Sequence, residues 1–432
     1  MPSIARKITA AAQVAGILGM LALGLAPAKS AETSTPQDTA RFLAGLPPAP
    51  DSPLAALAKS PSWQDHARAF NSIFDQEDKT TLSKARAFSA AHLTEHHDTM
   101  LYMFSGPDFL YATSFFPHAS TYVMAGLEPV GDVPQLTSLP RGSVDETLRN
   151  LESSLSSILN LTFFITKNMK TQLSTGQVYG TLPVLYVFLA RTGKTVHDVS
   201  LVALDKDGNF LTPDEPAAKG DGKRSARSAE STAKGVKITF SDGNGPTQTL
   251  YYFSTNIADD GVGSSGLLPF CAKLGVADSF LKSASYLLHG DGFSKIRNFL
   301  LNHSATILQD DSGIPLVFFP PDKWRLQPFG RYVGPAPIFP GANQPALAEL
   351  FRKDAVQLDF GVGYMWRKNE SNLLLAQRIG QPAADGSLIP ALTTAEDAQA
   401  AAKLRQEEHI VMKPEPPPTT WYFFRPRPMP PK

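Results

Sequence analysis

The spacing of apolar residues predicts helices in the first third of the chain. From Trp63 to about residue 97, large apolar side chains recur three or four positions apart, which is typical of amphipathic helices packed on a core. A further helix is indicated by Ser143 and Glu146, whose spacing matches a capping box. The apolar residues that would share one face of that helix are Val144, Leu148, Leu151, Leu155 and Ile158.

Later segments show the composition of strands. Residues 199–204, 236–240 and 249–253 are rich in β-branched and aromatic residues and are bounded by Asp, Gly and Asn, so we predict an antiparallel meander. Residues 358–366 and 373–379 have the same character and are separated by a polar turn. They predict one more hairpin.

Two segments of similar order predict βαβ units. In the first, a strand at 100–104 is followed by a break at 105–108, a short helix to Phe116 and a strand at 121–124. In the second, a strand at 285–288 is followed by 289–292, a helix and a strand at 306–309. Two right-handed crossovers would build a mainly parallel sheet, with Asp108 and Asp291 at the turns from strand to helix.

These patterns together predict an α/β fold. We expect a mixed, partly parallel sheet with βαβ units flanked by helices, plus antiparallel hairpins. Residues 63–384 would form a single domain that carries a disordered polar insertion at 212–235. Residues 32–62 read as a Pro- and Ala-rich linker, and residues 385–432 as a helix with a Pro-rich tail.

The first 31 residues have the pattern of a signal peptide. Arg6 and Lys7 precede an apolar run over residues 8–25, which ends in small residues. This pattern predicts export and a periplasmic or secreted protein, so we expect none of the usual intracellular cofactors and assign no cofactor. No later segment approaches the run of about 20 apolar residues that a bilayer span requires, and we expect no membrane span after processing.

Charge and cysteine content narrow the partners further. The 40 Lys and Arg residues balance the 40 Asp and Glu residues, so no global field favours nucleic acid. The single cysteine, Cys271, cannot form an intramolecular disulfide and lies among apolar residues, which predicts a buried thiol.

Candidate chemistry centres on polar residues at the predicted strand ends. Adjacent carboxylates at Asp310 and Asp311 could bind a divalent cation or share a proton, although a turn explains them as well. Asp108 and Asp291 have the alternative interpretation of helix caps. If a catalytic or binding cluster exists, it would be formed by Ser105, Asp108, Glu128, His289, Asp291, Asp310 and Asp311.

Two short motifs have simpler explanations. His92 and His96 flank a glutamate at the spacing of an inverted zinc-protease motif, but the chain should leave the helix here, so we interpret them as surface histidines and assign no metal site. Residues 205–209 contain acidic residues after a strand, and we interpret them as a tight turn between strands.

Aromatic and arginine residues late in the chain suggest a second kind of site. Trp324, Arg325, Tyr332 and Trp366 could line a groove for a glycan or a peptide. Their alternative interpretation is as residues of the core.

Three runs resemble those of an uncharacterised family of exported bacterial proteins: residues 104–108, 126–131 and 309–315. The resemblance implies a location in the bacterial envelope and carries no known activity. We therefore expect a non-catalytic binding or envelope-associated factor whose partner is a glycan, a peptide or an envelope protein. The alternative is a metal-assisted hydrolase that uses the carboxylates at the strand ends.

Overall fold

A computed structural model describes residues 33–161, 179–211, 233–335, 339, 341–363 and 371–380. The predicted signal peptide, most of the insertion at 212–235, the tail at 385–432 and Trp366 lie outside these residues. No helix among the described residues is both long and apolar enough to cross a membrane.

Helices occupy both faces of one sheet. The helices of seven or more residues are α1 Pro36–Leu43, α2 Pro61–Glu77, α3 Ser83–His92, α4 Phe109–Phe115, α5 Arg141–Leu161, α6 Leu182–Arg191, α7 Leu267–Lys273, α8 Ser294–His303 and α9 Pro345–Asp354. A π-helical turn, Asp78–Leu82, joins α2 to α3.

The sheet is mixed, which confirms the predicted α/β class, and the described residues contribute nine strands to it. The strands are β1 Thr99–Met103, β2 Thr121–Gly126, β3 Lys194–Ala203, β4 Lys234–Asp242, β5 Thr247–Ser254, β6 Ala277–Leu281, β7 Ser304–Gln309, β8 Trp324–Arg331 and β9 Ser371–Arg378. Their order is β3-β4-β5-β2-β1-β6-β7-β9-β8. Strands β5, β2, β1, β6 and β7 run parallel, and the pairs at both edges are antiparallel.

The parallel strands are buried on both faces, because successive side chains enter two different cores. In β1, Met100 and Tyr102 belong to a first core cluster that contains residues of α1 to α6. Leu101 and Met103 belong to a second core cluster with residues of α7 and α8. The alternation explains why β1 reads as one continuous apolar run in the sequence.

The prediction of a linker over residues 32–62 is wrong for residues 36–43, which form α1. Thr35 caps this helix by accepting a hydrogen bond from the Asp38 amide, and Pro36 occupies its first turn. Phe42 and Leu43 are fully buried, and the indole of Trp63 donates to the Phe42 carbonyl oxygen at 3.0 Å. The folded unit therefore begins before Trp63, since α1 supplies enough apolar surface to be held by α2 and α6.

The first βαβ unit has the predicted strands and helix, whereas the first strand of the second unit was predicted in the wrong place. That strand is β6. Ser285 and Tyr286 lie in a turn with positive φ values of 54° and 58°, and Leu287 and Leu288 belong to a 3-10 helical turn. Asp278 and Ser279 are buried within β6 and hide it from a hydrophobicity pattern. Asp291 is consequently displaced from the strand end.

The antiparallel meander of β3, β4 and β5 agrees with its prediction. The last hairpin does not form as predicted, because β9 pairs with β7 and β8, and residues 358–363 are not a strand. Helix α5 begins at Arg141, before the expected cap at Ser143, but it buries Val144, Leu148, Leu151 and Leu155 as predicted.

Candidate functional site

The strand order reverses direction between β1 and β6. Strand β1 leads into α4, whose apolar residues join the first core cluster, while β6 leads towards α8, whose apolar residues join the second. The connections therefore leave neighbouring strands towards opposite faces of the sheet. In open α/β sheets, ligands bind in the crevice that this reversal opens at the carboxyl ends of the strands.

Backbone strain is concentrated at the same place. Among the described residues, the non-glycine residues with left-handed φ are Phe104 at 63°, Ser283 at 52°, Ser285 at 54° and Tyr286 at 58°. Phe104 directly follows β1, and the other three follow β6. Each such residue costs about 1–3 kcal/mol and persists only where its surroundings hold it.

A buried ion pair joins the two connections. Lys282 Nζ lies 2.6 Å from Asp108 Oδ2, and both side chains are less than 5% exposed. The Tyr102 hydroxyl donates to the same oxygen at 2.9 Å, and Asp108 Oδ1 accepts from the Tyr111 amide at 3.4 Å. The ammonium also lies 3.8 Å from the centre of the Tyr111 ring. Asp108 thus caps α4 and, at the same time, neutralises a buried cation.

Glu77 extends this network from the last residue of α2. The Tyr111 hydroxyl donates to Glu77 Oε1 at 2.8 Å. Burial raises the pKa of Glu77, and the charge of Lys282 opposes that shift. Burial raises the pKa of Tyr111 as well, and the charges of Glu77 and Asp108 reinforce that shift. The Tyr111 hydroxyl is therefore protonated and acts as a hydrogen-bond donor at neutral pH.

Asp310 directly follows β7. Its amide donates to the Leu281 carbonyl oxygen at 3.1 Å, and its Oδ2 accepts from the Ser283 amide at 2.8 Å. Its Oδ1 accepts from the amide and hydroxyl of Ser312 at 3.0 and 2.6 Å. Burial, reinforced by the charge of Asp311, raises the pKa of Asp310 to about 6.

The switch-point cluster is our name for six buried side chains, five joined by these contacts and the sixth, Asp310, related to them by its charge: Glu77, Tyr102, Asp108, Tyr111, Lys282 and Asp310. Asp310 belongs to it because its charge helps to raise the pKa of Tyr102, after burial and Asp108. Of its three carboxylates, Asp108 contacts the Lys282 ammonium, and the charge of that ammonium also acts on Glu77. Such an arrangement can store a proton or receive a further donor from a ligand.

Two polar groups beside the cluster are left without partners among the described residues. Ser283 Oγ and Asn372 Nδ2 are buried and make no hydrogen bond there. The side-chain oxygen Oδ1 of Asn372 accepts from the Asp311 amide at 2.9 Å, which fixes the direction of the side-chain amide group. Buried polar groups are nearly always paired, so both are suited to contact a bound molecule or water.

The other predicted carboxylates occupy different positions. Asp311 accepts a hydrogen bond from the Tyr286 hydroxyl at 2.8 Å. Glu128 is buried after β2 and accepts from the Tyr252 hydroxyl at 2.9 Å through its carbonyl and at 3.3 Å through Oε2. Asp291 is exposed in a turn and stands outside the cluster.

Ser105 and His289 are buried near the same edge of the sheet. The Ser105 hydroxyl donates to the carbonyl oxygens of Gly106 and Ala125 at 2.7 and 3.3 Å, so it stabilises the turn. The centre of the His289 ring lies 5.2 Å from that of the Tyr286 ring, and His289 is only 4% exposed.

Four residues of the cluster were missed in the sequence: Glu77, Tyr102, Tyr111 and Lys282. Lys282 is the one with a usable signal, because it directly follows β6. A prediction of that strand at its true position would have placed a lysine beside Asp108 at the sheet edge.

The proposed aromatic groove does not form around Trp324. This residue is 2% exposed, lies 5.3 Å from Phe319 and is covered by the guanidinium of Arg378 at 4.6 Å. Its alternative interpretation as a core residue therefore describes it. Arg325 is exposed and contacts Gln377 at 3.2 Å, while Tyr332 accepts from the Gln344 amide at 3.0 Å.

The structure also agrees with the simpler interpretations of the two short motifs, the histidines at 92 and 96 and the acidic turn at 205–209. Helix α3 ends at His92, whose ring packs against Phe88 and Phe329, so His92 and His96 do not share a helical face. Asp205 accepts from the amides of Asp207 and Asn209 at 2.9 and 2.8 Å, as expected of a tight turn.

Within the described part of the chain, no group of three or more His, Cys, Asp or Glu side chains has the arrangement of a metal site. The resemblance to exported bacterial proteins stays a prediction, since no protein-family model, curated protein or solved structure matches this chain.

Proposed function

We propose that the protein is an exported, non-catalytic binding factor of the bacterial envelope that holds a glycan or a short peptide at the carboxyl edge of its sheet. The observation that carries this proposal is the coincidence of three features between β1 and β6. These are the reversal of strand order, the strained backbone and the switch-point cluster.

The chemistry of this edge suits a ligand with polar and apolar parts. Ser283 Oγ and Asn372 Nδ2 offer one hydroxyl and one amide donor. Partly or fully exposed apolar residues follow β1, β6 and β7, namely Phe104, Leu287, Phe293 and Phe318. Ligand sites are mostly apolar with a few fixed polar groups, and this combination matches that description.

A ligand screen tests the proposal directly. Thermal unfolding of the purified chain is followed with chitooligosaccharides, disaccharides and di- and tripeptides as probes. A probe present at a hundredfold excess over its Kd adds about 2.7 kcal/mol to the free energy of unfolding. Absence of a shift with every probe would contradict the proposal.

Variants at Ser283 and Ser285 link binding to the strained backbone. Replacing either residue by glycine removes the cost of a positive φ and should stabilise the free protein by about 1 kcal/mol, while loosening the site and weakening the active probe. Ser264→Gly is the matched control, because Ser264 is exposed and is not left-handed. Equal binding by all three variants would separate the strain from ligand binding.

A hydrolase is the second candidate, and the raised pKa of Asp310 next to Asp311 favours it. Two carboxyl groups with different affinities for a proton can serve as acid and base. Nitrophenyl esters and glycosides, with and without added divalent cations, test this activity. Turnover that is lost in Asp310→Asn would support hydrolysis over simple binding.

Export is supported by the pattern of residues 6–31 in the sequence. Fractionation of cells that express the chain, followed by amino-terminal sequencing, tests it. A mature terminus near residue 31 in the periplasmic or medium fraction is expected. Full-length protein in the cytoplasmic fraction would contradict export.

A further inference from the structure

Two histidines lie side by side at the opposite, amino edge of the sheet. Thr99 of β1 and Thr121 of β2 are register partners in a parallel pair. His96 and His118 each precede these partners by three residues, so their loops run alongside each other. Their ring centres are 4.3 Å apart, and the ring planes are inclined by 46°.

A cavity of about 340 Å³ opens beside this pair. It reaches the lower end of the volumes typical of small-molecule sites. Helix α3 forms one wall with residues spaced by three and four positions, and the loops before β1 and β2 form the other. The lining residues are Arg86, Ser89, Ala90, Leu93, Thr94, His96, Pro117 and His118.

The polar side chains of the lining can supply several hydrogen-bond donors. Arg86 is half-exposed and uses one nitrogen in an ion pair with Asp78 at 2.8 Å. A guanidinium carries five N–H donors, so others remain to face the cavity. His96, His118 and Thr94 can each add one donor, and none of the eight described residues that line the cavity is a carboxylate. Arg86 is the cation among them, and its partner Asp78 lies outside the lining, so these side chains favour an anion over a cation.

We infer that the cavity binds a small carboxylate-bearing molecule with a compact apolar group. The carboxylate would accept charge-assisted hydrogen bonds from Arg86 and the histidine pair. The apolar group would lie against the side chains of Leu93 and Pro117. This site uses no residue of the switch-point cluster, so it is independent of the proposed function.

Calorimetric titration of the full chain with benzoate tests the inference. Benzamide, which has the same shape and no charge, is the control ligand. Saturable binding of benzoate is expected, with benzamide at least tenfold weaker, because a hydrogen bond to a charged group is worth about tenfold or more in affinity. Chemical-shift changes of the His96 and His118 ring protons should saturate with the same Kd.

Matched variants locate the site. Arg86→Gln should weaken benzoate at least tenfold, and His118→Gln should weaken it less. Arg68→Gln is the control, since Arg68 also makes an exposed ion pair, with Asp65, but does not line the cavity. The stability of all three variants is checked by thermal unfolding.

Several results would overturn the inference. These are absence of saturable benzoate binding, benzamide binding as tight as benzoate binding, and equal affinities for benzoate in Arg86→Gln and Arg68→Gln. A further contrary result is Zn²⁺ binding that is lost in His96→Gln and His118→Gln while benzoate does not bind. That outcome would identify the histidine pair as a cation site instead.

Discussion

The ion pair between Lys282 and Asp108 should dominate the stability of the sheet edge. Replacing Lys282 by methionine keeps most of the side-chain volume but removes the ammonium 2.6 Å from the carboxylate and its contact with the Tyr111 ring. Both partners are at most 4% exposed, so water cannot replace the lost cation. Breaking such a pair costs about 3–5 kcal/mol.

The complementary change is Asp108→Asn. Asparagine can still accept the hydrogen bond from the Tyr111 amide and cap α4, but its amide nitrogen cannot accept from Lys282. The buried ammonium then lacks its counter-charge, and we expect a loss of similar size. The variant that carries both changes contains neither charge and should lose less than the sum of the single losses, by about 1–3 kcal/mol.

Urea unfolding at pH 7, followed by tryptophan fluorescence and by circular dichroism, measures these free energies where the two transitions coincide. Arg352→Met serves as the control, because its ion pair with Glu349 on α9 is exposed and should contribute at most about 1 kcal/mol. Strictly additive losses in the double variant, or a loss in Lys282→Met no larger than in Arg352→Met, would refute the reasoning.

Three further predictions concern pH, backbone and thiol reactivity. Burial raises the folded-state pKa of Asp310 from 3.8 to about 6, so its stabilising effect is present below about pH 4 and is lost as the pH rises through 6, by up to about 3 kcal/mol. Asp310→Asn should reduce this slope in urea midpoints measured between pH 4 and 7, where Glu77 contributes a slope of the same sign, and an unchanged slope would contradict the assignment. Gly266→Ala should cost more than 3 kcal/mol while Gly275→Ala costs about 1–2, since both have positive φ but only at Gly266 would a Cβ lie 1.8 Å from a carbonyl oxygen. Equal decreases in Tm for Gly266→Ala and Gly275→Ala would contradict this prediction, because they would show that the backbone moves to relieve the close contact. Cys271 is 1% exposed and its pKa is raised by burial, so a thiol reagent should label it only as fast as the protein unfolds, and rapid labelling of native protein would contradict its position.

Local sequence patterns were enough to predict the elements whose own residues mark them, by continuous apolar runs or by turn residues at their ends. The first βαβ unit could be predicted because β1 and β2 are continuous apolar runs, and a Gly-Pro break separates β1 from α4. The meander could be predicted because turns rich in Gly and Asn bound its strands. Cys271 is buried, as its apolar neighbours predicted.

The misses come from segments whose burial depends on distant partners. Helix α1 lies in a Pro- and Ala-rich stretch that composition alone treats as a linker, and it is fixed by contacts with α2 and α6. Strand β6 contains Asp278, which is buried because it accepts from the His97 ring at 2.9 Å. A pattern of apolar residues has no means of recognising a buried acid whose partner is far away in the chain.

The same limitation explains why only two of the six residues of the cluster were predicted. Asp108 and Asp310 are visible because each follows a strand, whereas their placement at one edge requires β6 to lie between β1 and β7. That order is set by packing over more than a hundred residues of intervening chain. The role of Lys282 can be recognised only when this strand order is known, since a lysine after a strand is otherwise an ordinary surface residue.

Asp108 shows that a cap and a functional residue are not exclusive interpretations. Its bond to the Tyr111 amide, at 3.4 Å, is long, and a helix cap contributes about 1 kcal/mol. Its bonds to Lys282 and Tyr102, at 2.6 and 2.9 Å, lie in the buried interior, where a charged pair matters about three times as much. The position before a helix therefore explains why an aspartate is tolerated there, while the buried lysine explains why its charge is needed.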